Sequence, residues 1–424
     1  MERGQHTAFG WQIVRVSNAG RGLAPFDKMG EIADGLPGRA GSLRVPPTIQ
    51  IGGGVRREVV AHARRLGAAR VLVVTDAEVM RVTPASEIPE LLRADGIEVA
   101  VFDEAHPDPS DLNALAGLAL WRQHKCDAIV AIGGGSAIDA AKAIRVLATN
   151  PEPLRDYAGY HKIPRPGPAL IAIPSTAGTG SEATQVTVIT DTERGVKMMI
   201  LSEHLVPTVA LVDYELSLSM PPALTAAVGV DTLTHGIEAY VSRKAHGLTD
   251  PLALSCIRLV AAHLRTAHQE PGNRAARAGM MLAACQGGMA FANSSVGLVH
   301  GMSRPIGAMF HVPHGLSNAV LLPAVTRYSR GGAVERYAAV ARLLGCCPPG
   351  APDAAASESL ADGLLRLNED LKLPRLRDCR GVDEIRFRAS LSKMAADALA
   401  SGSPQNNPRV PSEEEIVSLY LEAW

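Results

Sequence analysis

The chain has 424 residues, long enough for two domains rather than one. Hydrophobic residues make up 46% and aromatics only 4%, so the cores are built from Ala, Val, Leu and Ile. A formal net charge of -1 argues against a broad nucleic-acid surface, and no stretch of about 18 uninterrupted apolar residues is present to span a membrane.

Residues 1–44 are rich in glycine and charge, lack the apolar core of a signal peptide and show no sustained periodicity. They read as a poorly ordered extension or an over-long start, with an arm packing on a partner subunit as the alternative. Residues 45–219 alternate between strand and helix. Residues 69–76 and 96–102 read as short buried strands, with a helix over 88–94 between them. A helix over 112–124 leads into the apolar run 128–132, and residues 170–174 make one more strand. This alternation predicts a mainly parallel, doubly wound α/β sheet. From Met220-Pro221-Pro222 onward strand signals nearly vanish. Residues 223–241, 252–269, 274–290 and 334–344 are Ala/Leu-rich and helix-like, so residues 220–424 are expected to form an all-α domain.

The six cysteines, Cys126, Cys256, Cys285, Cys346, Cys347 and Cys379, include no Cys-x-x-Cys pair. Cys256 and Cys285 lie in apolar runs and read as core thiols. Neither a disulfide framework nor a zinc ribbon is indicated, and a cytoplasmic location is the simplest reading.

Several motifs carry chemistry. Gly133-Gly134-Gly135-Ser136 follows a strand and opens a helix, where backbone N–H groups and the helix N-terminus favour a pyrophosphate. It is not a Gly-x-Gly-x-x-Gly fingerprint, and read alone it is also an ordinary tight turn. Asp76 ends the first clear strand. A carboxylate there can accept hydrogen bonds from a ribose and repel a 2′-phosphate, favouring NAD over NADP; otherwise it is a surface turn residue. The hydroxyl-rich loop from Pro174 to Glu182 can wrap a cofactor or be only a loop.

Asp231 and His235 are four apart, so on a helix they share a face. His300 and His314 lie in a second segment, residues 298–315. Three imidazoles and one carboxylate suit Fe²⁺ or Zn²⁺ better than Ca²⁺ or Mg²⁺. Each histidine alone is more often an ordinary core or surface residue; the set as a whole carries the metal reading.

Together these motifs resemble the iron-containing (group III) alcohol dehydrogenase family over residues 46–424. The resemblance rests on Gly133 to Lys142, Ile173 to Glu182, Met220-Pro221-Pro222, Gly229 to His235, Leu298 to Met302, Pro313 to Ala319 and the C-terminal Leu419 to Trp424. It implies an N-terminal dinucleotide-binding α/β domain, a helical C-terminal domain and a cleft between them. The implied metal ligands are Asp231, His235, His300 and His314. The implied cofactor positions are Asp76, Gly133, Gly134, Gly135, Ser136, Thr176, Thr179 and Lys197, with Asp139 inside the glycine motif counted among them. The implied activity is hydride transfer between NAD(H) and an alcohol or carbonyl, with a small-molecule substrate and a homodimer or higher homo-oligomer.

Two positions depart from the family pattern. Where a second histidine often stands four residues after His300, this chain has Arg304, which cannot relay protons near neutral pH. Arg304 reads as a grip on an anionic substrate group or, equally, as a partner of a cofactor phosphate or a nearby carboxylate. Asp108 stands where the family commonly has Asn between two prolines. It is either a harmless variant or a partner for Arg304. The alternative functions are a hydroxyacid–oxoacid transhydrogenase retaining its NAD, and a dehydroquinate synthase-like lyase. A non-catalytic binding protein would be expected to lack at least one ligand.

Overall fold

The computed structural model describes residues 40–424; residues 1–39, nearly all of the expected extension, lie outside the described residues. Just after them the chain is tied down. The Arg44 backbone N–H donates to Asn293 Oδ1 at 2.6 Å, and Asn293 returns a hydrogen bond to the Arg44 carbonyl at 3.0 Å.

The first half runs β1 (Thr48–Ile51), α1 (Val59–Arg65), β2 (Arg70–Val74), α2 (Ala77–Val82), α3 (Glu87–Ala94), β3 (Glu98–Phe102), α4 (Asp111–Gln123), β4 (Ala128–Gly133) and α5 (Gly135–Leu147). It continues through β5 (Gly159–Tyr160), β6 (Ala169–Pro174), β7 (Val186–Asp191), β8 (Val196–Leu201) and β9 (Val209–Val212). Six of these strands form one parallel sheet in the order β1-β9-β6-β4-β2-β3. Period-two alternation fills both faces. Leu72 and Val74 meet Leu118, Ile138 and Ile144 on one side, and Val71 and Val73 meet Val59, Ile88 and Leu92 on the other.

The chain leaves β2 for β3 and then returns to the opposite side of β2 to lay down β4. The carboxyl ends of β2 and β4 are therefore a topological switch point, where such sheets bind ligands. Register also pairs Gly133 with Pro174, so the glycine loop and the hydroxyl loop start side by side.

Sequence reading finds β2, β3, β4 and β6 but not the short edge strand β1 or β9. It also misses a second sheet, β5-β8-β7, in which β7 and β8 pair antiparallel.

The second half is helical: α6 (Pro222–Val241), α7 (Asp250–Gln269), α8 (Arg274–Asn293), α9 (Leu298–Phe310), α10 (His314–Ser329), α11 (Val334–Leu343), α12 (Asp353–Asp370), α13 (Glu384–Ala400) and α14 (Glu413–Glu422). Their starts are written locally. Pro222 opens α6, Asn273 caps α8 by accepting from the Ala276 N–H, and Ser412 with Glu415 forms a capping box on α14. Glycines let helices approach closely in this aromatic-poor core. A Cβ at Gly229 would stand 2.2 Å from Leu264 of α7, and one at Gly236 would meet Cys256 Sγ at 3.1 Å. No helix among the described residues is long and apolar enough to cross a membrane.

Candidate active site

Asp231 and His235 stand one turn apart on α6, and both are buried. His300 lies in the first turn of α9, and His314 is the first residue of α10, after the left-handed His311 (φ 55°) and Pro313. Three elements thus aim four side chains at one point. Asp231 Oδ1 lies 3.8 Å from His235 Nε2, 3.6 Å from His300 Nε2 and 3.8 Å from His314 Nε2. The donor atoms of Asp231, His300 and His314 all lie within 4.8 Å of one another; His235 joins them through Asp231.

The imidazoles are stacked against a wall. His235 packs on Phe291 with ring centroids 4.4 Å apart and on His300 at 4.8 Å. The His314 side chain is 48% exposed, against 5% for His235 and His300, so the cluster is closed on one side and open at His314.

Two residues that sequence reading passes over complete the cluster. Glu238 Oε2 accepts from His300 Nδ1 at 2.6 Å and from the Gly297 N–H at 2.8 Å, and Oε1 accepts from the Val299 N–H at 2.6 Å. The buried carboxylate caps the start of α9, where a negative charge is favoured. It also fixes the Nδ1–H tautomer of His300, leaving the Nε2 lone pair toward Asp231. Asn318 Nδ2 lies 2.6 Å from Asp231 Oδ1, 3.1 Å from His300 Nε2 and 3.2 Å from His314 Nε2. This amide marks where the lone pairs converge, because one donor sits within reach of three acceptors. The signals were positional: Glu238 follows His235 by three on α6, and Asn318 follows His314 by four on α10.

Electrostatics suits a cation. Burial pushes the Asp231 carboxyl upward, but the facing imidazoles outweigh it and hold the group below the usual carboxylate range. Burial pulls His235 down to about 4, leaving a neutral ring with a lone pair to share. Burial acts the same way on His300, but Glu238 and Asp231 outweigh it and take the ring up to about 9, so without a bound cation Nε2 carries a proton that a metal ion would replace to use the lone pair. Borderline nitrogen and hard oxygen donors focused on one point, buried except at His314, fit Fe²⁺ or Zn²⁺.

The cofactor candidates gather at the switch point. Asp76 caps α2: Oδ1 accepts from the Val79 N–H at 2.8 Å, and Oδ2 lies 3.5 Å from where a Gly133 Cβ would stand. Gly133 has φ 151°, and any Cβ there would come within 2.7 Å of Ala137. A Cβ at Gly135 would strike the Thr179 side chain at 2.7 Å, and one at Gly134 would touch Thr176 at 3.5 Å. The glycine loop and the hydroxyl loop are therefore in contact. Ser136 Oγ donates to the Pro107 carbonyl at 2.5 Å, bringing the loop that carries Asp108 over the start of α5.

Asp108 and Arg304 do not pair. Asp108 Oδ1 accepts from Lys197 Nζ at 2.6 Å, while Arg304 Nη1 donates to Ser403 Oγ at 3.1 Å. Lys197 sits opposite Thr190 on the β7–β8 hairpin, and Thr190 is bridged to Ser110; this brings Lys197 to the Asp108 loop. Asp139 differs from the other cofactor candidates. Its carboxylate accepts from Ser181 Oγ at 2.7 Å and from the Val188 N–H at 2.9 Å, so it holds the hydroxyl loop rather than presenting itself to a ligand.

Lys142 pins the same loop from within, its Nζ 2.7 Å from both the Ser181 and Val186 carbonyls. Thr232, next to Asp231, places its hydroxyl 3.0 Å from the Ala177 carbonyl. The loop thus touches the glycine motif at one end and the donor helix at the other.

Fold and site together define a two-part protein, a parallel α/β half with a nucleotide-type glycine loop and a helical half with an Asp/His donor set. The profile of the family "Iron-containing alcohol dehydrogenase" matches residues 46–214, and that of "Fe-containing alcohol dehydrogenase family, C-terminal" matches residues 225–424. The chain is 41% identical over 362 residues to a 1,3-propanediol dehydrogenase of Klebsiella pneumoniae, covering 85% of this chain and 92% of that one. It is 38% identical over 379 residues to an NAD-dependent methanol dehydrogenase of Bacillus methanolicus, covering 89% and 98%. A solved 1,3-propanediol oxidoreductase superposes with a TM-score of 0.88 at 38% identity, covering 91% of this chain and all (100%) of that one. The chain belongs to the iron-containing alcohol dehydrogenase family.

Proposed function

We propose that this chain is a metal-dependent, NAD-linked alcohol dehydrogenase or aldehyde reductase. The reaction is aldehyde + NADH + H⁺ ⇌ alcohol + NAD⁺. The observation that carries the reading is the approach of three imidazole Nε2 atoms to within 3.8 Å of Asp231 Oδ1. Asp231, His235, His300 and His314 would hold Fe²⁺ or Zn²⁺. Gly133, Gly134, Gly135 and Ser136 would cradle the pyrophosphate, Asp76 the adenosine ribose, and Thr176, Thr179 and Lys197 the remainder of NAD. With both groups in place, the chemistry supplied is Lewis-acid polarisation of a carbonyl or hydroxyl oxygen and transfer of a hydride at the nicotinamide.

The protein's part is positioning. Glu238 orients His300, the Thr232 hydroxyl ties α6 to the hydroxyl loop, and Phe291 shields the buried side of the cluster. The exposed face of His314 leaves a way in for substrate. Asp76 favours NAD over NADP through its charge. The names of the relatives, which act on small alcohols and aldehydes, support this reading. A cytoplasmic homodimer or larger homo-oligomer fits it, with six free cysteines in keeping with that compartment.

The test is metal analysis of the purified protein together with NADH oxidation by a panel of aldehydes. One Fe²⁺ or Zn²⁺ per chain and metal-dependent turnover are expected. Turnover that is unaffected by removal of the metal would refute the reading.

A further inference from the structure

Among the described residues, every buried or half-buried arginine but one meets at least one carboxylate or backbone carbonyl oxygen. Arg56 meets Glu87, Asp213 and Glu215. Arg277 donates to the Pro271 and Met220 carbonyls and to Thr225 Oγ1. Arg145 reaches the carbonyls of Pro168 and Val206, and Arg336 reaches Asp250 and the Tyr240 carbonyl. Arg304 is the exception. Among the described residues its guanidinium donates to one acceptor, Ser403 Oγ at 3.1 Å, and no carboxylate pairs with it.

A guanidinium has five N–H donors in a planar fork, and the Arg304 nitrogens without a protein partner are not sealed from solvent, so a ligand can reach them. The position makes those open donors informative. Arg304 follows His300 by one turn of α9, about 6 Å along the axis, and lies within electrostatic reach of His314, Glu238 and, from the other half, Tyr160. The pyrophosphate cradle at the start of α5 is a separate feature of the α/β half. Arg304 is also held in place. Gly301 lets Pro404 approach to 2.8 Å of where a Cβ would stand, and that loop presents Ser403 to Nη1.

We propose that Arg304 is the specificity-determining residue of this site. Its free donors take the acid group of a short aldehyde or alcohol whose reacting end lies at the Asp231–His300–His314 cluster. The class is an aldehyde or alcohol carrying a carboxylate, sulfonate or phosphonate a few bonds from the reacting carbon. The fork matches paired anionic oxygens, and one helical turn sets the span. This inference rests on the cluster being the oxidoreductase centre proposed above.

The test compares the metal-loaded enzyme with its Arg304→Gln and Arg304→Lys variants, each checked for an unchanged melting curve. The substrates are succinic semialdehyde, its sulfonate and phosphonate counterparts, and butanal as the neutral reference. The acid-to-neutral ratio of kcat/KM is expected to fall on the order of 10- to 100-fold in R304Q, chiefly through KM, and to recover in part in R304K. The acid with the largest fall identifies the anionic group.

A second readout does not depend on turnover. Butanoate binding to the chelator-treated protein, followed by ligand-observed NMR, should weaken at least about tenfold in R304Q. An unchanged acid-to-neutral ratio overturns the proposal, as does a loss confined to the KM for NADH, which would assign Arg304 to a cofactor phosphate. If the wild type reduces butanal but none of the acids, the inference falls and the oxidoreductase reading stands. If it reduces nothing, that reading falls, and equal butanoate binding by wild type and R304Q then overturns the inference separately.

Discussion

Glu238 holds His300 by a 2.6 Å hydrogen bond to Nδ1 while the opposite ring nitrogen faces Asp231 at 3.6 Å. A carboxylate behind an imidazole raises its basicity and fixes its tautomer, and losing such a partner typically costs about 10- to 100-fold in metal affinity. Glu238→Gln keeps the shape and one acceptor oxygen, enough for either Gly297 and His300 or Val299 but not for both sides, and removes the charge. Its affinity for Zn²⁺ or Fe²⁺, measured by competition with a chromogenic chelator, should fall about tenfold. An affinity equal to wild type would mean that Glu238 serves only as the cap of α9.

Metal also bears on stability. An ion that binds only the folded chain stabilises it by RT ln(1 + [L]/Kd), about 2.7 kcal/mol at a hundredfold excess over Kd. Chelator treatment should therefore lower the melting temperature by several degrees in wild type and far less in His300→Ala. Equal shifts in the two proteins would place the stabilising ion elsewhere.

Asp76 combines a cap and a charge, and the two can be separated. Asp76→Ser retains an oxygen for the Val79 N–H but no longer repels a 2′-phosphate. The NADP-to-NAD ratio of kcat/KM is expected to rise about tenfold, which corresponds to about 1.4 kcal/mol, with little change in melting temperature. An unaltered ratio would remove Asp76 from the ribose site.

Buried Glu182 introduces a pH dependence. Burial pushes its carboxyl up to about 7, whereas in the unfolded chain it titrates near about 4.3. The folded form thus keeps a proton that the unfolded form has released. The stabilisation from that proton is complete at acid pH and is lost as pH rises through about 7. Glu182→Gln is neutral throughout, so its stability relative to wild type should improve between about pH 5 and pH 8, by on the order of 2 kcal/mol. Parallel melting profiles across that range would show that the group stays ionised when buried.

Where sequence and structure agree, side-chain periodicity was simple. Asp231 and His235 share a helix face because four residues is close to one turn, and the strands 128–132 and 170–174 were visible as unbroken apolar runs. Helices α9 and α10 were hidden by Pro305 and Pro323 inside them, although they carry His300 and His314. Strand β1 is too short and too exposed to alternate clearly, and β7 and β8 are a hairpin inserted into an otherwise parallel pattern. The partners of charged groups were the least legible. Asp108 lies 89 residues from Lys197 and Glu238 lies 62 from His300, and only the packed fold brings such residues together. Asp139 shows the converse: a motif residue whose carboxylate is already committed to Ser181 and Val188.

The most direct measurement of the central claim is NADH oxidation by an aldehyde under anaerobic conditions, with chelator-stripped protein titrated with Fe²⁺ or Zn²⁺. Activity should be absent before addition, rise to a plateau at one ion per chain, and fail to appear in Asp231→Ala at any metal concentration used. Full activity in the stripped protein, or an Asp231→Ala variant that titrates like wild type, would contradict a metal centre built on Asp231, His235, His300 and His314.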